Sequence, residues 1–381
     1  MSSPYAQYND IHQYGRIIMQ HGAAYVVGHE EARLVMGDQK RFIKDYRRLM
    51  SGSGANASPT MFDLLYDNML MKDGDEHKRL RALISKAFTN RSVRALAPRI
   101  QVITDELIDG FQAKGAADFV EAFAYQLPII VICELLGIPT ADRDKFRTWS
   151  HAFIGISNDA DPYGTSLFEF VEYIGRFIQL RRQNPQDDLT SRLIHAEENG
   201  ERLTEQELFS MIALLIVAGH ETTVNLISGG MLALLQHPDQ AARLRRDPEL
   251  IDNAIEEFLR YEGPIEMTTT RYAAADTTIG EVFLPRGTAV IVVLAAVNRD
   301  PDLFVNGGTL DVSRDAQQQM GFGYGVHYCV GAPLARLEAS IAFNTLLQRL
   351  PTMRLAVAPE ELQYTDSAVV RGLRQLPVVW E

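Results

Sequence analysis

The chain has 381 residues, 46% hydrophobic and 23% charged, enough to bury a large core at an ordinary charge content for a globular protein. Its net charge of −12 argues against general nucleic-acid binding. Its two cysteines, Cys133 and Cys329, are too few for a disulfide framework or a four-thiolate zinc site.

No run of about 18 or more apolar residues occurs, and Met1 to Asp10 lacks a basic-then-apolar leader pattern. The expectation is a cytoplasmic chain without a membrane anchor. In chain order, Ala23–Val27 reads as a short strand closed by Gly28. Ser51–Ser58 (SGSGANAS) reads as a flexible loop. Residues 72–99 carry eight Lys/Arg (Lys72, Lys78, Arg79, Arg81, Lys86, Arg91, Arg94, Arg99) against three acids (Asp73, Asp75, Glu76). Both a solvated helix face and a patch for an acidic ligand or partner fit this excess.

Apolar residues at helical spacing predict helices over Arg91–Phe111, Gln126–Leu136, Leu167–Gln183, Glu205–Gln236, Pro248–Tyr261 and Pro333–Leu350. Cys133 falls in the apolar stretch Ile129–Ile138 and reads as a small core residue. Ser150–Gly164 has weak patterning. Thr277–Ile279, Val282–Leu284, Ala289–Val293 and Val378–Trp380 read as short strands, with Pro285-Arg286-Gly287 as a turn. Periodic segments resume on both sides of each loop, so neither is a domain linker. The pattern is mainly α: one large helical domain over 1–381 with a small β-rich portion, approximately at 20–60, 272–296 and 355–381.

Four constellations carry chemistry. The first is Phe322-Gly323-Tyr324-Gly325-Val326-His327-Tyr328-Cys329-Val330-Gly331-Ala332-Pro333-Leu334-Ala335-Arg336. Gly323, Gly325 and Gly331 remove side chains where backbone approaches a flat object or takes positive φ. Pro333 suits the first turn of a helix, whose N-terminus favours a thiolate at Cys329. The natural flat object is haem, for which a thiolate is a recognised iron ligand. His327 could reach a haem carboxylate. With no Cys-x-x-Cys-His attachment motif, a haem here would be non-covalent, of b type.

The second lies on the longest predicted helix. Thr204-Glu205-Gln206-Glu207 is a capping box, and Ala218-Gly219-His220-Glu221-Thr222-Thr223 sits mid-helix. Glycine and paired threonines weaken a helix centre, so a local widening with room for dioxygen and water is expected there. An acid beside an alcohol can relay protons into a buried site. His220-Glu221 begins a metalloprotease-like pattern, but Val224 stands where the second histidine belongs, which excludes that zinc site. The third is Glu257-Phe258-Leu259-Arg260, acid and base on one helix face. The fourth groups His77 and Arg81, four apart on one face, with Arg271 and His327. They are candidate partners for buried carboxylates.

Phe322, Gly323, Gly325, His327, Cys329, Gly331, Leu334, Ala335 and Arg336 match the haem-binding signature of the cytochrome P450 family, which the chain resembles over essentially its whole length. The resemblance implies the P450 fold and Cys329 as axial iron ligand. It implies Ala218, Gly219, Glu221 and Thr222 as the oxygen-activation segment, the last two managing protons. His77, Arg81, Arg271 and His327 become propionate ligands, and Glu257–Arg260 becomes a brace behind the haem. A downstream arginine partner for that brace stays open, with Arg314 one candidate; Gly74 replaces a common proline. Around the distal pocket the resemblance puts the 51–71 loop, the 150–182 region, Leu214, Val217, Ile265, Met267, Thr269 and Val369.

The implied activity is that of a haem-thiolate monooxygenase. It would use dioxygen and two electrons from a separate ferredoxin or flavodoxin with its reductase. The reaction would be hydroxylation or epoxidation of a bulky hydrophobic molecule such as a macrolide, other polyketide, terpenoid or steroid. The alternatives are a peroxide-driven or non-oxygenating haem-thiolate enzyme, and a haem-based sensor or carrier.

Overall fold

The computed structural model describes residues 8, 10–49, 61–153, 165–198, 200–367 and 369–381. The predicted loop 51–58 and most of 150–164 lie outside the described residues. The chain forms two compact units. One comprises residues 1–46, 97–127 and 222–381, the other 47–96 and 128–221.

The first unit holds most of the strands. β1 (Ile17–Gln20), β2 (Ala23–Val26), β3 (Phe42–Ile43), β7 (Arg271–Ala273) and β10 (Ala289–Val292) form a sheet in the order β1-β2-β10-β7-β3. β10 runs parallel to β2, pairing Val290 with Ala24 and Val292 with Val26, and antiparallel to β7. Alternation sends Ala24, Val26, Val290 and Val292 into one apolar cluster with Val35 and Met36 of helix α1 (His29–Gly37). β4 (Ala116–Asp118), β11 (Arg354–Leu355) and β12 (Pro377–Val379) form a second sheet, and β8 (Thr277–Ile279) pairs with β9 (Val282–Leu284).

A second helix, α2 (Gly74–Ala87), belongs to the other unit; α3 (Ala97–Gln112) returns the chain to this one. The single helix expected over Arg91–Phe111 is broken. A short helix, Asn90–Arg94, is closed off before α3, which carries Pro98 in its first turn, where the missing N–H costs no hydrogen bond.

The second unit also contains most of α4 (Gln126–Leu136), then α5 (Arg143–Phe153), α6 (Thr165–Gln183) and α7 (Leu189–His195). The hairpin β5 (Glu197–Glu198) with β6 (Glu201–Arg202) follows. α5 packs on α6 through Phe146, Trp149, Phe170 and Tyr173, with edge-to-face pairs at 5.1 to 6.3 Å. Cys133 is buried in α4, and burial pushes its thiol up to about 12, as a packing residue requires.

Helix α8 (Glu205–Gln236) begins in the second unit, and its residues from Thr222 on belong to the first. Its start carries the predicted capping box: the Thr204 N–H donates to Glu207 Oε2 at 2.8 Å and the Glu207 N–H to Thr204 Oγ1 at 3.2 Å. The helix is apolar and long enough to cross a membrane by composition, but 72% of its most apolar window is buried inside the protein.

Helix α8 runs as α-helix through Ala218–Thr223. Gly219 also serves packing. A Cβ there would meet Ile132 Cδ1 of α4 at 2.8 Å, so a larger residue would make the Ile132 side chain shift. Helices α9 (Pro238–Arg246), α10 (Ile251–Tyr261) and α11 (Ala332–Arg349) complete the first unit, with α11 packed on α3, α9 and α10.

Candidate active site

Cys329 lies three residues before α11, at the end of the glycine-rich loop. The loop's path is set by Gly323 and Gly325, at φ +77° and +74°. At Gly325 a Cβ would stand 2.9 Å from the Met36 carbonyl oxygen of α1, so conformation and contact both demand glycine. The Cys329 N–H donates to the Phe322 carbonyl at 2.9 Å, closing the loop on itself. The thiol is exposed. Gly331 caps α11 without a side-chain acceptor, and a Cβ on it would lie 3.8 Å from Cys329 Sγ. The sulfur therefore sits beside the first turn of a helix, where the dipole favours negative charge.

The loop is anchored by an arginine to which the sequence alone assigns no partner. Arg336 of α11 donates to both oxygens of Glu256, at 2.6 and 2.9 Å, and to the Tyr328 hydroxyl at 3.1 Å. Its guanidinium carbon lies 4.5 Å from the centre of the Phe322 ring. One cation thus grips both sides of the Cys329 segment.

The next residue of α10 makes the second anchor. Glu257 and Arg260 form a bidentate pair at 2.6 and 2.7 Å, both fully buried. Arg314 joins at 3.2 Å, which answers the question of the third partner. Arg260 also donates to the carbonyls of Asn298, Gly307 and Thr309, and the Asp311 N–H donates to Glu257. The segment 298–314, irregular by sequence, is held by these bonds rather than by regular structure.

Arg271 is buried on β7, and His327 closes a single helical turn, Gly325–His327, two residues before the cysteine. Ile265 bridges to Val370, and the Glu266 N–H donates to the Val369 carbonyl at 2.9 Å, so the predicted pocket residue Ile265 has Val370 as its partner and Val369 lies opposite Glu266. Met267 packs on a small cluster that includes Val27 and Val293. The Thr269 hydroxyl and carbonyl both accept from the buried Lys44 ammonium, a residue not singled out from the sequence.

In the second unit, His77 is buried on α2 with Arg81 one turn later. Burial first, and the Arg81 charge second, hold the His77 imidazole below its ordinary range. Leu214, Val217, Ala218 and Gly219 follow one another along α8 toward Glu221, with Val217 buried. Glu221 Oε1 has two histidines around it: His220 Nε2 at 3.3 Å and His151 Nε2 of α5 at 3.5 Å. Burial raises the Glu221 carboxyl, but the His220 hydrogen bond and the charges of His220, His151 and Arg147 outweigh it, and the net direction is down. The basic stretch is less uniform than its composition. Lys72 pairs with Asp67 and Glu76, and Arg79 with Glu207, whereas Lys78, Arg91 and Arg94 are exposed.

These residues suit a haem. Among the described residues no group of three or more His, Cys, Asp or Glu could hold a metal ion alone. The donor set around Cys329 is one thiol, in a loop whose path needs glycine at 323 and 325. It suits an iron that brings its other in-plane ligands with it.

Comparison with known proteins agrees. The family model described as Cytochrome P450 matches residues 165–363. The polyketide biosynthesis cytochrome P450 PksS of Bacillus subtilis is 45% identical over 317 residues, 83% of this chain and 78% of that protein. The cytochrome P450 monooxygenase PikC of Streptomyces venezuelae is 45% identical over 359 residues, 93% of this chain and 84% of that protein. The solved structure of Bacillus subtilis PksS superposes with a TM-score of 0.91 at 38% identity, covering 100% of this chain and 97% of that one. A glycine-lined thiol at a helix start, in a chain related to these proteins over most of its length, identifies the protein as a member of the cytochrome P450 family, and as an oxidoreductase of its monooxygenase class.

Proposed function

We propose that Cys329 is the axial thiolate of haem b in this monooxygenase. The substrate we propose is a bulky hydrophobic small molecule, with macrolides and other polyketides favoured over terpenoids and steroids. The observation that carries the reading is the exposed Cys329 thiol beside the first turn of α11, in a loop gripped by Arg336. The substrate class leans on the relatives, one named for polyketide biosynthesis and another as a mycinamicin IV hydroxylase/epoxidase.

Haem bound there would supply dioxygen activation, with the thiolate pushing electron density to favour O–O cleavage. The chain's residues do the rest. Cys329 would bind the iron, beside a helix start whose dipole favours negative charge. Arg271, His327, His77 and Arg81 offer donors to the haem carboxylates and fix its orientation. Phe322, Ala218 and Gly219 would supply further contacts to it. Glu221 holds a proton and passes it by way of the Thr222 hydroxyl. Leu214, Val217, Ile265, Met267, Thr269 and Val369 exclude water from the substrate.

Electrons come from a separate ferredoxin or flavodoxin, for which exposed Lys78, Arg91 and Arg94 offer positive charge. We read residues 1–381 as one functional domain working in the cytoplasm. The test is optical. The reduced, carbon monoxide-treated protein should give the Soret position diagnostic of thiolate ligation, and Cys329→Ala should lose it. A folded, haem-loaded Cys329→Ala variant that keeps the band overturns the assignment. A screen of polyketide substrates for a low-spin to high-spin shift tests the substrate class.

A further inference from the structure

Two imidazoles share Glu221 Oε1, and they are not equivalent. His220 is fully buried. Its Nδ1 lies 2.8 Å from the Ile216 carbonyl oxygen, which can only accept, so Nδ1 carries the hydrogen. Its Nε2 lies 3.3 Å from Glu221 Oε1, away from solvent. Glu221 itself is only 9% exposed, so bulk water reaches its carboxylate poorly.

His151 differs in its exposure. It sits on α5, 23% of its side chain reaches solvent, and its Nε2 faces the buried carboxylate. We propose that His151 is the residue through which Glu221 exchanges protons with solvent, a positioning residue one step behind the acid. The inference rests on the reading of Glu221 as the proton-delivery acid. In the step, the Nε2 proton of protonated His151 moves to Glu221 Oε1. The imidazolium becomes neutral imidazole, the carboxylate becomes carboxylic acid, and a buffer acid in the solvent returns a proton to His151.

The charged groups facing the pair are Arg147 and His151 from α5 and His220 from α8 itself. Burial depresses proton affinity at His151, Glu221 opposes this, and Arg147 and His220 add to it, leaving the net direction down. A group that is neutral at rest and takes a proton only in passing suits a relay.

The test uses the haem-loaded protein, reduced and carbon monoxide-bound so that it is diamagnetic. Histidine ring resonances are followed against pH. The one lost in His151→Asn should titrate below the ordinary histidine range, and lower still in Glu221→Gln, where the neighbouring negative charge is gone. A midpoint that ignores Glu221→Gln overturns the proposal. In turnover, His151→Asn should lower product per electron pair roughly tenfold and enlarge the slowing in D2O. That is less than the ~10²-fold or more of a lost acid–base group, because water partly substitutes. His151→Gln provides a second variant should the first fold poorly. If both variants keep wild-type coupling and D2O response while Glu221→Gln is impaired, the relay is wrong and the role of Glu221 stands. If Glu221→Gln itself couples normally, both fall.

Discussion

Glu256 receives both ends of the Arg336 guanidinium, at 2.6 and 2.9 Å, and so ties α10 to the helix that starts three residues after Cys329. Glu257, its neighbour in the chain, is tied the other way, to Arg260 and Arg314. Two adjacent carboxylates of one helix thereby secure two different irregular segments. Glu256 holds the cysteine loop, and Glu257 holds the stretch 298–314.

Arg336→Ala should therefore loosen the ligand loop before it unfolds the protein. The guanidinium is about a third exposed, so its loss costs less than that of a fully buried partner, about 2 kcal/mol. Haem retention and thermal unfolding measure it. Glu256→Gln should show the same faster haem loss, and a variant that keeps haem as tightly as the parent would contradict the anchoring role.

Glu257→Gln should be harsher. Removing the charge leaves Arg260, fully buried, facing carbonyls alone, and breaking such a pair costs about 3–5 kcal/mol. Denaturant unfolding reads this loss, and poor accumulation of folded protein is an equally consistent result.

Glu338 of α11 sets a pH dependence. It is buried, and burial alone pushes its carboxyl well above the ordinary value. Its folded-state proton affinity exceeds the unfolded one, so the stability it contributes is fully present below the ordinary carboxylate range and is lost as pH rises toward the raised folded value. Glu338→Gln keeps the shape and removes the ionisation. It should flatten this part of the stability–pH curve and gain relative to the parent as pH rises. Parallel curves for parent and variant would show that the side chain is not held protonated.

Gly325→Ala meets two penalties at once: a positive φ and a Cβ 2.9 Å from a backbone oxygen of α1. Such strain costs on the order of 1–3 kcal/mol. It should appear as weakened haem binding, while an alanine at exposed Val326 of the same loop should be nearly neutral.

The basic stretch gives a salt-dependent prediction. Replacing Lys78, Arg91 and Arg94 with glutamine should slow reduction by an acidic electron donor, and the difference should fade as ionic strength rises. Arg79→Gln should act mainly on stability, because Arg79 is committed to Glu207. Reduction rates at low salt that ignore the triple replacement would rule out this docking face.

Much of the local structure was legible in the chain. Gln126–Leu136 and Glu205–Gln236 begin and end where apolar periodicity and a capping box predict. The cysteine loop could be read from its glycines and proline because those residues act through their own backbone. The break between Asn90–Arg94 and α3 was missed, since the apolar period runs on across it and Pro98 is tolerated in a first turn. Arg336 was visible as a motif residue without a task, because its partner Glu256 is remote in sequence and a buried glutamate looks like any other there.

The sequence by itself determined what depends on neighbours along the chain: helix starts, glycine turns, a thiol before a helix, and an acid next to an alcohol on α8. Only the tertiary structure decided what depends on distance through space. It paired β10 with β2 in parallel, gave Glu257 its third partner in Arg314, and turned Gly219 from a presumed weak point into a helix–helix contact. It also brought His151 to 3.5 Å from Glu221. Backbone conformation is local and can be read in order, whereas burial and electrostatic pairing arise only when segments far apart in the chain are packed together.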